Sequence, residues 1–399
     1  MVLKVAAEDS PLATVDEVVR VREYNEERDK VAVEKMERLC EMVGQRGKPS
    51  LVTDLLGDPK CRIRHFPTHI MLVALLYGEQ KEIVGVIRGC VKKVTRGNSE
   101  FVKLAYILGL RVSPTHRRLG IGTKLIRHLE EWCKRKGAEY AYMATDCTNE
   151  ASINLFTLKC SYQKFRTPTI LVQPVHAHYK PIPSTITIVP LPACLAESIY
   201  RQIYANSEFF PEDIDAILSS ALNLGTFMAL PRKHLPKWNP QMSTFPPSAF
   251  AILSVWNTRE VFKLQLKGVS KLTQACCVGS RLVDAWLPCL GLPSFPNVFK
   301  QFGVYFMYGL HAEGKQGLRL MKGLCNFVHN VGRDDHGCAA VLAEVSQRDP
   351  VREAIPHWRK FSWAEDMWCV KKLTEAKQPS DWINSRPSST MIFVDPRDF

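Results

Sequence analysis

The chain lacks most of the signatures that would assign it to a specialised class. None of its 13 cysteines is paired as C-x-x-C. They stand singly in apolar segments, as at Cys133, Cys194, Cys325 and Cys338, or adjacent as Cys276-Cys277. That pattern excludes a zinc ribbon and a disulfide frame, and reads as reduced core thiols. Long apolar runs are missing too. The best, Ile70 to Leu76, is far shorter than the roughly 20 residues that cross a bilayer, and the opening MVLKVAAEDSPLATVDEVV has no signal-peptide core. The expectation is a soluble intracellular protein with no membrane partner. Neither G-x-G-x-x-G nor G-x-x-x-x-G-K-[ST] occurs where a strand meets a helix, so dinucleotide and P-loop sites are not indicated. His176 and His178, and the cluster Asp334-Asp335-His336, have no further ligand group at metal spacing, so no metal is expected. Acidic residues are in the minority, 40 against 53 Lys plus Arg, for a formal charge of +13. This favours anionic partners. The basic runs Lys92-Lys93 and Lys134-Arg135-Lys136 have no interleaved aromatics, which argues against direct DNA binding.

What is present is an ordinary globular composition, 46% hydrophobic and 23% charged over 399 residues, enough for two or three domains. After a loose N-terminus (1–15), period-2 alternation predicts strands at Val18 to Tyr24, Ile70 to Tyr77, Ile83 to Val94, Phe101 to Val112 and Tyr140 to Thr145, with further strands at Tyr162 to Phe165 and Thr169 to Val175. Helical spacing predicts helices over Glu27 to Val43, from Ile121 to Gly137, and over Glu150 to Cys160. These elements form a first unit, 16–177. A Pro- and Tyr-containing linker (178–184) leads to a second unit, 185–373. There, Thr185 to Val189, Leu195 to Tyr204, a hairpin of Phe250 to Trp256 with Val261 to Leu266, Val304 to Gly309, Gly317 to Val331, Ala339 to Val345 and Met367 to Lys372 follow the same element order. The repetition predicts an ancient duplication, with insertions at Leu230 to Pro247 and Lys271 to Lys300. The polar remainder, 374–399, reads as a tail.

The sharpest local signal is RRLGIGTKLIRHLEEW. A strand ends at Val112, and a short loop carrying Arg117, Arg118, Leu119, Gly120, Ile121, Gly122 and Thr123 runs into a helix. Glycines at 120 and 122 let the backbone approach an anion, the first-turn N–H groups point at it, and the helix dipole adds to the field. A pyrophosphate fits such a cradle, with Arg117 and Arg118 supplying charge from outside.

With LRV before this loop and TDCTNEASINLF after the next strand, the segment resembles the acetyl-CoA site of the Gcn5-related N-acetyltransferases. VREYNEERD, LRVSPTHRRLGIG, TNEASINLF, FRTPTILVQPV and HAEGKQGLRLMKGLC extend the resemblance over nearly the whole chain, to the plant Hookless type of that family. The resemblance implies a tandem α/β (α+β) fold with a mixed central sheet flanked by helices, the second copy degenerate. It implies acetyl-CoA as co-substrate and an amine acceptor, such as a histone or other protein, with no metal. It also implies a nuclear role in hook formation and hormone- and light-controlled growth, and admits a homo-oligomer. Leu110, Arg111 and Val112 would splay from the sheet and pair with pantetheine, the loop would hold the pyrophosphate, and Asn149 would touch the cofactor. Phe156 stands where many members place a Tyr that protonates the departing thiolate. Phe cannot donate a proton, which leaves Tyr162 or a water. The strand Phe101 to Val112 has no acid to act as base, so the choices are Tyr106 and Asp146 first, then Glu100 and His116. In the second copy HAEGKQGLRL keeps Gly314 and Gly317 but puts Arg319 where the first has Gly122, so that loop is expected not to bind CoA.

Overall fold

The computed structural model describes residues 19–44, 50–76, 82–97, 99–233, 248–287, 294, 296–359, 362, 366–374, 382–384 and 390–399. The loose N-terminus (1–15), the hairpin turn at 78–81 and most of the Pro-rich insertion, 234–247, lie outside the described residues.

The first half runs β1 (Val19–Glu23), α1 (Glu26–Gly44), β2 (Ser50–Asp54), β3 (Thr68–Leu76), β4 (Glu82–Arg96), β5 (Phe101–Val112), α2 (Ile121–Arg135), β6 (Tyr140–Asp146), α3 (Glu150–Asn154) continued by a π-helical turn (Leu155–Lys159), β7 (Gln163–Arg166) and β8 (Thr169–Pro174). The second half runs β9 (Ile186–Leu191), α4 (Ala193–Ile203), β10 (Glu208–Pro211), α5 (Ile214–Leu218), β11 (Asn223–Pro231), β12 (Phe250–Asn257), β13 (Lys263–Lys267), α6 (Lys271–Trp286), β14 (Gly303–Glu313), α7 (Gly317–Asp334), β15 (Cys338–Val345) and β16 (Asp366–Lys372). Two mixed sheets result, ordered β1-β3-β4-β5-β6-β16-β7 with β10 on β4, and β8-β15-β14-β12-β11-β9. The amphipathic spacing of α2 lays Ile121, Leu125, Ile126, Leu129 and Cys133 on the first sheet, and α7 covers the second in the same way. At about 1.5–3 kcal/mol per large apolar side chain, the α2 face alone contributes on the order of 10 kcal/mol of gross burial. The largest apolar cluster lies between the two sheets and draws residues from both halves, including Tyr106, Tyr142, Trp256 and Phe306.

The two halves share an irregularity. In β5 the register against β4 slips between Arg88↔Leu108 and Val86↔Arg111, and Gly109 takes φ +62°. In β14 it slips against β12 between Ser254↔Tyr308 and Ile252↔His311, and Gly309 takes φ +61°. A side chain at either glycine would be strained by that conformation, and its Cβ would fall 2.8 Å from Arg88 or 2.6 Å from Tyr200.

Three expectations are corrected, and one insertion that had no assigned element gains a helix. The units exchange strands: β16, expected in the second, lies between β6 and β7 of the first sheet, while β8, expected in the first, pairs with β15 of the second. Alternation specifies that a segment is a strand but not which open edge it joins. Val261 to Leu266 makes no hairpin with β12; β13 pairs instead with β2 in a separate ribbon, Leu264 opposite Thr53. Part of the 271–300 insertion is regular helix, α6, capped by Ser270 accepting from the Thr273 N–H at 3.1 Å. Finally, the end of the 374–399 tail is not loose: Phe393, Val394, Asp395 and Arg397 are buried between the sheets.

Candidate active site: a strand crevice beside an open helix end

β5 and β6 run parallel and pair only at Leu104↔Tyr140, Ala105↔Ala141 and Tyr106↔Tyr142. Beyond that point β5 stays with β4 as far as Gly85↔Val112, while β6 stays with β16 as far as Asp146↔Asp366. The two strands therefore part into a crevice whose vertex is the Tyr106–Tyr142 pair. The bulge at Gly109 lies on its β5 wall and leaves Gly109 and Leu110 together opposite Ile87, outside a regular ladder.

At the open end of that wall lies the glycine loop. Gly120 caps α2 in the left-handed conformation, φ +83°, with no side-chain cap, and Arg118 is also left-handed at φ +64°. The first i→i−4 bond of the helix runs from Lys124 N–H to Gly120 C=O at 3.0 Å. The N–H groups of Ile121, Gly122 and Thr123 therefore precede the helical ladder and are available to an anion. A Cβ at Gly122 would sit 3.3 Å from Leu155 and within 3.9 Å of Leu110 and Val112, so strand end, loop and π-turn converge there. Arg117 and Arg118 are exposed beside it, and Arg117 Nε donates to Val112 C=O at 3.4 Å. The loop accordingly fits the phosphates of an acyl-CoA: first-turn donors with no acceptor among the described residues, two exposed cations, and a close approach at 122 that a side chain would crowd.

The other expected residues are placed as follows. Asn149 caps α3, its Oδ1 accepting from Ser152 N–H at 3.2 Å while its Nδ2 donates to Thr145 Oγ1 at 3.1 Å. Phe156 is buried edge-on against Tyr162 at 5.1 Å. The Tyr162 hydroxyl is buried beside Glu130 of α2, and burial, then the Glu130 charge, pushes its pKa far up. A phenol raised in this way is a poor proton donor to a departing thiolate. Tyr106 is 5% exposed and stacks on Tyr142 at 4.7 Å. Burial pushes its phenol far above the usual value, so it stays protonated and the expectation of Tyr106 as base does not fit. Asp146 is exposed at the mouth of the crevice, and its Oδ1 accepts from Thr148 N–H at 2.7 Å and Thr148 Oγ1 at 2.6 Å, the turn-forming role of an Asx residue. Arg111 reaches back to Glu41 at 3.6 Å. In the second copy α7 starts one position earlier than the sequence spacing suggested. Its cap is Gln316, so Leu318 rather than Arg319 stands where Gly122 does. A side chain occupies the position in either alignment.

Sequence reasoning missed the carboxylates contributed from a distance. Asp366, facing Asp146, has its pKa pushed to about 6 by burial and then by the Asp146 charge. Glu344 on β15 accepts from Trp368 Nε1 at 3.1 Å, and burial drives its pKa well up. Asp398, one residue from the C-terminus, accepts from Tyr142 Oη at 2.5 Å. Asp366 and Asp398 reach the crevice only through the strand exchange and the returning C-terminal segment, while Glu344 meets the first sheet from the second through Trp368, and no local pattern marks any of them. A cavity of about 370 Å³ adjoins the β5 wall at Arg111, lined by five acids, among them Glu37, Glu41 and Asp54, against Arg38, Arg111 and Lys267. It is a locally acidic site on a chain of net charge +13.

Comparison with known proteins agrees with this geometry. The acetyltransferase (GNAT) family model matches residues 42–162. A probable N-acetyltransferase of Arabidopsis thaliana, HLS1, is 48% identical over 95% of this chain and 99% of its own length. The acetyl transferase GW6a of rice is 40% identical over 96% of this chain and 98% of its own. Among solved structures, yeast N-myristoyltransferase with bound myristoyl-CoA superposes with a TM-score of 0.57 over 97% of this chain and 88% of its own, at 11% identity, a likeness of fold. The chain belongs to the GNAT acetyltransferases, within the group of plant probable N-acetyltransferases, and carries that fold twice.

Proposed function

We propose that the protein transfers acetyl from acetyl-CoA to the amine of a cationic acceptor, a protein lysine or N-terminus (a histone among them) or a small amine. The parting of β5 and β6 beside the uncapped N-terminus of α2 carries this reading. Pantetheine would lie along Leu110 to Val112, and its pyrophosphate would meet the N–H groups of 121–123 with Arg117 and Arg118. The thioester carbonyl would be polarised by backbone N–H groups at the Gly109–Leu110 bulge. The acidic cavity next to Arg111 supports a positively charged acceptor, because it concentrates cations at the β5 wall. The resemblance to Hookless-type proteins supports a nuclear role in apical hook formation and in growth responses to light, auxin and ethylene.

A second reading has its own observation. Phe156 is buried and offers no proton, which favours a CoA-binding regulator with little turnover. Titration calorimetry with acetyl-CoA, followed by CoA release in a panel of basic peptides and amines, separates the two. Under the transferase reading wild type binds and turns over, and Gly120→Glu weakens acetyl-CoA by ~100-fold or more, since it adds a carboxylate and a strained Cβ at the cradle. Binding without turnover of any acceptor would leave the regulator.

A further inference from the structure

This inference rests on the transferase reading above. An amine attacking a thioester held in the crevice does so near the vertex, and it must lose a proton there. β5 carries no acid, and Asp146 lies at the far end of β6, engaged in its own turn. On the face turned away from α2, the vertex is floored by the stacked rings of Tyr106 and Tyr142. Both hydroxyls meet one residue of the returning C-terminus: Tyr142 donates to Asp398 Oδ2, and Tyr106 donates to Asp398 C=O at 3.1 Å.

The surrounding bonds hold this carboxylate against the vertex. Lys92 Nζ of β4 donates to both of its oxygens, at 2.7 and 2.6 Å, and to Asp395 at 3.2 Å. Arg397 bonds Asp395 and, in bidentate fashion, Asp213. Arg62 donates to the Asp398 carbonyl at 3.1 Å. Two side-chain cations, Lys92 and Arg397, thus serve three carboxylates, with Glu344 of β15 and the Cys90 thiol of β4 also close enough to interact. Arg397, then Lys92, offset the burial of Asp395 and hold its pKa down, whereas burial pushes Asp398 up despite Lys92. The segment is anchored without position 398, through Arg397, through Phe393 packed against Tyr204 and Phe210, and through Phe399 stacked on Phe306 at 4.8 Å.

We propose that Asp398, brought to the crevice vertex by the C-terminal segment, is the group that takes the proton from the acceptor amine. An acceptor R–NH3+ gives one proton to the Asp398 carboxylate. The free amine attacks the thioester carbon, its N–C bond forms as the C–S bond breaks, and the second N–H proton passes to the departing thiolate. Asp398 then releases its proton to water. The products are the amide, CoA thiol and one proton.

Full-length wild type, Asp398→Asn, Asp398→Glu and Tyr142→Phe would be compared by calorimetry with acetyl-CoA and by steady-state turnover of the best acceptor from pH 5 to 9. Asp398→Asn is expected to lower kcat by ~100-fold or more at unchanged acetyl-CoA affinity and to erase the acidic limb of the kcat/KM profile, with partial rescue by Asp398→Glu. Tyr142→Phe removes a bond to the charged carboxylate, so its acidic limb moves to higher pH; this arm decides if Asp398→Asn does not fold. The inference is overturned if Asp398→Asn keeps kcat within threefold, or if the limb is unmoved in Tyr142→Phe. Wild type that binds acetyl-CoA and turns over nothing overturns the transferase reading, and this inference with it.

Discussion

Single residues at the crevice are held in conformations or ionisation states that water alone would not favour. Gly120 and the non-glycine Arg118 both take positive φ, and the first turn of α2 that follows presents the N–H groups of 121–123 ahead of its hydrogen-bond ladder. These residues were readable in sequence because the chemistry is local: a strand end, two glycines two apart and a helix start suffice. Asp366 is the opposite case. Its carboxyl keeps its proton to about pH 6 when folded, against 3.8 ordinarily, because it is partly buried and stands opposite Asp146. Between those values the folded state binds more protons than the unfolded, so this group's contribution falls as pH rises from about 4 to 6 and its penalty is complete above that. Asp349, also pushed to about 6 by burial, acts in the same sense. Asp366→Asn should therefore raise Tm by ~2–4 °C at pH 7.5 and by far less at pH 4, by differential scanning calorimetry. An equal shift at both pH values would show that the ionisation is not the cause.

Among the elements, helices and most strands were legible from period, and their partners were not. α2 announces itself through Ile121, Leu125, Leu129 and Cys133, four apart, all buried. β16 looked like the closing strand of a second unit because it follows α7 and β15 in order, yet its Trp368, Cys369 and Val370 pack into the first sheet beside β6. The final residues read as tail because the stretch 374–399 is largely polar and contains Pro. Phe393 nevertheless sits 1% exposed within 5.1 to 6.4 Å, ring to ring, of Tyr200, Tyr204, Phe210 and Tyr308. Phe393→Ala should destabilise the chain by ~3–5 kcal/mol, the usual result of removing a buried aromatic from a packed cluster, as measured by urea unfolding. A loss below about 1 kcal/mol would mean that the segment is not docked in solution.

The whole molecule is two copies of one fold that are not two independent domains. Each sheet contains a strand from the other half, and the largest apolar cluster is shared. Residues 1–184 and 185–399 expressed separately are expected to be insoluble or unfolded, since the first sheet would lose β16 from between β6 and β7. Mixing them during refolding should restore the circular dichroism of the intact chain, and a folded, monomeric 1–184 fragment would refute this. The sequence by itself determined the period of most helices and strands, the two glycines that open α2, and the absence of an acid on β5, since each depends on residues within a few positions of one another. Only the tertiary structure decided which edges the exchanged strands join and which carboxylates reach the crevice. Edge choice and burial depend on contacts between residues hundreds of positions apart, as with Tyr142 and Asp398, and no periodicity along the chain encodes them.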